Sequence, residues 1–300
     1  MIIMMLPTMK LSATSPFFTG IFWYLLSLCI GVFNDTVMKT LGHHYSVTEI
    51  VFWRYFYAAL SCFLLFFFPK YRHCFAPRAL KLHSIRGIFL FSAILFYCYA
   101  LHHLPLATVT SLNFTIPLFT LILARLFLQE KVGWRRTIAS IIGFSGVYII
   151  LQPHQSSWIT FPAIVLLFSS LLFAGLDVIN KKFVSKEGVL SMVFYTAIGA
   201  LILAFPFMLY HRNIPTAKDM CSFMLLGIGA NILLFFILMA FQKVSASTLA
   251  PFRYVELLLS IAVGGICFHE QPTFHTILGA MIIIPCTLYI TYISAQETSN

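Results

Sequence analysis

The chain has 300 residues, of which 60% are hydrophobic and 9% charged, and its mean hydropathy is +0.92. Soluble domains carry about 25% charged residues, so a water-soluble fold is excluded, and a lipid bilayer is the solvent in which this much apolar surface is stable. The formal net charge of +10 falls mostly in short stretches between apolar runs, with no basic stripe standing clear of them; this excludes nucleic-acid binding and reads as a topology signal.

In chain order, residues 1–16 carry Lys10 behind a short apolar run with no cleavage signature and read as a cytoplasmic tail. Ten apolar runs follow, each close to the roughly 20 residues that cross the hydrocarbon core. The first, 17–40, holds Tyr24 at mid-span, then Ser27, Gly31 and Asp35 on one helical face, with Lys39 four residues beyond the acid. The second, 48–68, carries Arg54, which has no acid within four residues on its own helix. The third, 85–101, holds Tyr97; the fourth, 107–128, holds Asn113, Pro117 and Arg125; the fifth spans 134–151. The sixth, 158–181, ends on Asp177 and Lys181, and the seventh and eighth, 190–210 and 221–241, are almost wholly apolar. The ninth, 247–268, places Arg253, Tyr254 and Glu256 about a third of the way along, and the tenth, 274–293, leaves a short tail at 294–300. The runs are continuously apolar where barrel strands would alternate, so the fold expected is an all-α integral membrane bundle of an inner or plasma membrane.

Twelve Lys and Arg residues fall in segments on the side of the N-terminus, Arg86 among them, and only Arg212 and Lys218 in those on the other side. The bias predicts both termini in the cytoplasm. The chain also repeats itself. Shifted by 142 residues, Asp35 and Lys39 fall on Asp177 and Lys181; shifted by 140, Glu130 falls on Glu270 and Asn113 on Arg253. Five spans per copy is an odd number, so the second copy enters the membrane upside down. The expected architecture is ten transmembrane helices as two inverted five-helix repeats, 17–151 and 158–293, a common plan of secondary transporters that bind substrate near the midplane.

Ten spans, two five-helix halves, and a glutamate at each fourth-to-fifth junction (Leu128-Gln-Glu130 and Phe268-His-Glu270) resemble the drug/metabolite transporter superfamily, EamA type. Phe33-Asn-Asp35, 116–122, 177–184, 250–256 and 282–285 further resemble the S-adenosylmethionine uptake transporters of obligate intracellular bacteria. That resemblance implies import of S-adenosylmethionine in exchange for S-adenosylhomocysteine. The partners are then this small molecule and the bilayer, with a homodimer left open. The other reading within the superfamily is an exporter of amino acids or another small metabolite.

Charged side chains inside a bilayer cost about 2.5–3.5 kcal/mol each on insertion scales and mark functional sites. S-adenosylmethionine presents a sulfonium, an ammonium, a carboxylate and an adenine, which call for acids, a guanidinium and aromatic faces. Arg253 and Glu256 share a face at i,i+3: either they neutralise each other within the helix, or Arg253 takes the carboxylate and Glu256 the cations. Asp35 and Asp177 either pair with the lysine four residues on or form charged gates. Arg54 either snorkels to the nearby boundary or lines the cavity. Asn113, Tyr24, Tyr97 and Tyr254 complete the expected substrate site. No enzyme is expected, because H-E-x-x-H, G-x-G-D and the nucleotide-binding P-loop are all missing from the sequence. The seven cysteines form no C-x-x-C, so neither a metal nor any other cofactor is expected.

Overall fold

The structure is a computed structural model that describes residues 16–67, 79–103, 109, 112–113, 115–129, 133–151, 161–209, 215–269 and scattered helical positions between 274 and 289. These residues form nine helical units: α1 (Pro16–Leu41), α2 (Val47–Phe66), α3 (Leu80–His103), α4 (Ile116–Leu123, continued by a π-helical turn, Ala124–Leu128), α5 (Trp134–Leu151), α6 (Phe161–Phe183), α7 (Val189–Met208), α8 (Ala217–Lys243) and α9. The last is composite: a short helix, Ala246–Leu249, a 3-10 turn, Ala250–Arg253, and a longer helix, Tyr254–Phe268. Six of them, α1 to α3 and α6 to α8, are long and apolar enough to cross a membrane. The expected tenth span lies outside the described residues apart from helical positions such as Phe274 and Met281. Glu130, Glu270 and both terminal tails, save Pro16 at the head of α1, lie outside them altogether.

The ninth span is not the continuous helix expected over 247–268. Pro251 has no N–H to donate, and a proline in a helix interior is incompatible with the carbonyl four residues earlier. The chain therefore tightens into the 3-10 turn and resumes as α-helix only at Tyr254. Broken helices of this kind put backbone and side chains at the binding sites of transporters.

The outward faces are apolar, as lipid requires: Phe22 is 57% exposed, Ile202 65% and Leu126 66%. Inside, the packing has a regular plan. Helix α1 lies on α8 as α6 lies on α3, α2 lies on α8 as α7 lies on α3, and α9 lies on α1 as α4 lies on α6. Exchanging α1–α4 for α6–α9 carries this pattern into itself. The close approaches follow the same rule. A Cβ on Gly87 would stand 3.1 Å from the Cα of Gly199, where α3 crosses α7, and one on Gly227 would stand 2.7 Å from the Ala58 nitrogen, where α2 crosses α8. Small residues allow backbones to meet this closely, and Gly87 and Gly227 are 140 positions apart. So are Gln129 and His269, the two left-handed caps that end α4 and α9, with φ of 54° and 55°.

The core divides into two clusters at opposite ends of the bundle. One gathers Phe17, Tyr24, Met192, Phe241 and Phe252; the other gathers Met38, Tyr55, Tyr97, Phe223 and Leu226. Between them lies a polar cavity.

Candidate functional site

The cavity encloses about 130 Å³ and is bordered by α1, α2, α3, α6, α8 and α9. Five charged side chains line it: Asp35, Arg54, Asp177, Arg253 and Glu256. Asn113 and Tyr97 line it as well. Tyr24, 1% exposed, stands behind Arg253. The side chain of Tyr254 lies outside the described residues.

Arg253 sits at the last position of the 3-10 turn. Its Nη2 donates to Asp177 Oδ2 at 2.9 Å, and the guanidinium also donates to the Tyr24 hydroxyl. The intrahelical Arg253–Glu256 pair is not formed; among the described residues the ion pair of Arg253 is with Asp177, on a different helix. Arg253 keeps helical backbone angles, φ −57° and ψ −24°, so its partner is set by where α6 brings Asp177. Glu256 instead faces α1, where Gly31 leaves room: a Cβ at that position would stand 3.8 Å from Glu256 Oε1.

Asp177 is thus held by Arg253, while Lys181, expected to pair with it, reaches to the end of α8. Its Nζ donates to the carbonyls of Phe241 at 2.6 Å and Val244 at 2.7 Å, where a helix C-terminus favours a cation. Asp35 accepts a hydrogen bond from the Tyr97 hydroxyl. Arg54 is 7% exposed and donates from Nη1 to the thioether sulfur of Met38 at 3.0 Å. It lines the cavity and does not snorkel. Asn113 accepts a long hydrogen bond, 3.5 Å, from Ser170 Oγ.

Three asparagines of the cavity wall were not singled out from the sequence. Asn34, 1% exposed, has neither amide atom hydrogen-bonded. Asn180 accepts from Arg86 Nε at 2.8 Å. Asn231 donates to the Ala58 carbonyl at 2.6 Å and to Ser61 Oγ at 2.9 Å. The signal for Asn231 was present, since a lone amide in the apolar run 221–241 is expensive in a bilayer. Arg86, assigned to a cytoplasmic segment by the charge count, is fully buried in α3, which starts at Leu80 and carries Arg86 into the bundle. Tyr97 and Phe173 add an aromatic corner, with ring centroids 6.3 Å apart.

Among the described residues, the cavity is lined by charged, amide and aromatic side chains between helices. The profile of the EamA-like transporter family matches residues 18–152 and again 160–292. The chain is 37% identical over 294 residues to an S-adenosylmethionine uptake transporter of Rickettsia prowazekii, covering 96% of this chain and 97% of the relative. It is 38% identical over 290 residues to one of Rickettsia felis, with 96% and 97% covered. A solved crystal structure shares the fold with a TM-score of 0.73 at 12% identity, over 93% of this chain and 99% of its own. The family and these relatives are transporters and not enzymes. With its six apolar spans and its polar cavity between helices, the chain is a multi-pass membrane protein that belongs to the EamA-like transporter family.

Proposed function

We propose that this transporter imports S-adenosylmethionine across the inner membrane, in exchange for S-adenosylhomocysteine, by alternating access at the cavity between two inverted five-helix units, with both termini in the cytoplasm. The observation that carries the reading is the charge of the cavity. Three carboxylates, Asp35, Asp177 and Glu256, face two guanidiniums, Arg54 and Arg253, leaving one unit of negative charge. S-adenosylmethionine carries one net positive charge, so loading neutralises the site. Glu256 is the acid we assign to the sulfonium, and the Tyr97–Phe173 corner is the aromatic surface we assign to the adenine. The two rickettsial relatives, both S-adenosylmethionine uptake transporters, support the same substrate.

The inverted units are supported by the packing that maps onto itself, by the glycine crossings 140 residues apart, and by the two family matches, 18–152 and 160–292. Ligand pockets usually enclose about 300–1,000 Å³, and this cavity encloses about 130 Å³. The units must part to admit a nucleoside-sized solute, which is what alternating access demands.

Uptake of labelled S-adenosylmethionine by cells expressing the protein tests the substrate. The expected result is uptake above vector controls that unlabelled S-adenosylhomocysteine competes away. Membrane-inserted protein without such uptake refutes the assignment. Glu256→Gln and Arg253→Ala are each expected to abolish uptake at normal expression; near-normal uptake in both would assign the two residues to structure alone.

A further inference from the structure

Two guanidiniums line the cavity, and they are not equivalent. Arg253 is already satisfied by the Asp177 carboxylate and the Tyr24 hydroxyl. Arg54 is 7% exposed, its Nη1 has only a thioether sulfur as acceptor, and its Nε has no hydrogen-bond partner. A thioether is a weak acceptor, and a buried cation without a carboxylate bond is costly. Beside it on α1, Asn34 is 1% exposed with both amide atoms unpaired. Asn34 and Met38 are one turn apart on α1, and Asn34 and Arg54 both line the cavity. Asp35 also lines the cavity, within electrostatic reach of Arg54 and hydrogen-bonded by Tyr97.

Buried polar groups in native proteins are almost always paired, and the exceptions call for a ligand or another explanation. Two residues that line one cavity with unpaired buried donors offer a site for an anion. With an acid in the same cavity wall, the site suits a zwitterion. We infer that Arg54, assisted by Asn34, binds the substrate carboxylate and that Asp35 takes the neighbouring ammonium, so the α-amino-acid end of the solute is held between α1 and α2. Arg253 then serves to hold Asp177 across the break in α9, and the carboxylate role expected of it from the sequence passes to Arg54. This inference rests on the substrate reading above for the identity of the zwitterion.

The test is thermal stabilisation of the purified protein by two ligands, S-adenosylmethionine and its decarboxylated analogue, which keeps the adenine, the sulfonium and an amine. Charge-assisted hydrogen bonds are worth about 1.5–3 kcal/mol, so wild-type protein is expected to prefer the carboxylated ligand by about tenfold or more in apparent affinity. Arg54→Gln is expected to erase that preference, leaving the two ligands equal. Arg54→Lys and Asn34→Leu are expected to reduce it, and either serves if the glutamine variant does not fold. Arg253→Gln is expected to retain it. Wild-type protein that binds both ligands equally overturns the inference while leaving the substrate reading intact. Loss of the preference in Arg253→Gln but not in the Arg54 variants overturns it as well. Wild-type protein that binds neither ligand refutes the substrate reading, and the inference with it.

Discussion

The two ends of the bundle are built on equivalent positions and sealed by opposite chemistry. Where α3 begins and α6 ends, His83 Nε2 stands 3.7 Å from Glu187 Oε2, and Arg86 donates to Asn180 at 2.8 Å and to the Met192 carbonyl at 2.9 Å. All of these side chains but Met192 are polar, and all are buried. At the other end, the repeat puts Phe223 for His83, Tyr45 for Glu187, Leu226 for Arg86 and Met38 for Asn180. There Tyr45 packs edge-on against Phe223, with centroids 5.1 Å apart, and Met38 and Leu226 share one apolar cluster. The polar links there are the Tyr45 hydroxyl, which donates to Asp219 Oδ2 at 2.8 Å, and Arg54 Nη1, which donates to the Met38 sulfur at 3.0 Å. Burial and the Asp219 carboxylate raise the Tyr45 hydroxyl above its ordinary pKa, which keeps the donor protonated.

The difference is one of failure mode. An apolar seal gives way by degrees as its contacts are lost. A buried polar seal holds fully or leaves uncompensated groups behind. Both contacts join a helix or turn of the first half of the chain to one of the second: α3 to α6 and α7 at one end, and Tyr45 to α8 at the other. The polar end is the all-or-none one.

Moving the apolar chemistry to the polar end gives the largest expected effect. Arg86→Leu leaves Asn180 and the Met192 carbonyl without their donor and is expected to cost about 3 kcal/mol, read by thermal unfolding in detergent. Adding Asn180→Met completes the other end's pairing and should recover much of that loss, because replacing both partners is far cheaper than orphaning one. If Arg86→Leu alone unfolds like the wild type, the two seals are interchangeable and the contrast fails.

The glycine crossings sharpen the comparison next. At Gly227 a Cβ would meet the Ala58 nitrogen, the Arg54 carbonyl and the Tyr57 Cβ, all at 2.7 Å; at Gly87 the nearest atom, Gly199 Cα, is at 3.1 Å. Overpacking costs about 1–3 kcal/mol, and Gly227→Ala is expected near the upper figure and Gly87→Ala near the lower. The reverse order in unfolding temperature would mean that the α3–α7 crossing is the tighter one. The smallest effect is expected for Tyr45→Phe, which keeps the ring contact with Phe223 and removes one hydrogen bond worth about 1 kcal/mol. A loss as large as that of Arg86→Leu would show that the apolar end depends on the Tyr45–Asp219 hydrogen bond.

Residue by residue, legibility followed the range of the interaction. Asp35, Arg54, Asn113, Asp177, Arg253 and Glu256 could be singled out because a charge or amide in an apolar run is conspicuous, and all of them line the cavity. Asn34 and Asn180 sat in segments quoted for their resemblance, yet nothing local distinguished them from amides facing a helix end. The contact of Arg253 with Asp177 could not be read from spacing along one helix, because the two residues lie on different helices, 76 positions apart. Arg86 was counted with the loop charges because its run of apolar neighbours starts only at Ile85, whereas tertiary packing extends α3 back to Leu80.

The sequence by itself determined the membrane and the helical class of the fold, with six of the expected spans long and apolar enough to cross a bilayer among the described residues, since hydropathy over some 20 residues is a property of the chain alone. The tertiary structure decided which charges meet. Asp177 and Arg253 are 76 positions apart, and Arg86 and Asn180 are 94 apart. A side chain in an apolar interior takes whichever partner the helix crossings bring within about 3 Å, and those crossings rest on the glycines and on the break in α9, not on spacing along any one helix. For the same reason the Asn34 amide and the Arg54 Nε are left without hydrogen-bond partners, while Asp35 in the same cavity wall is hydrogen-bonded by Tyr97.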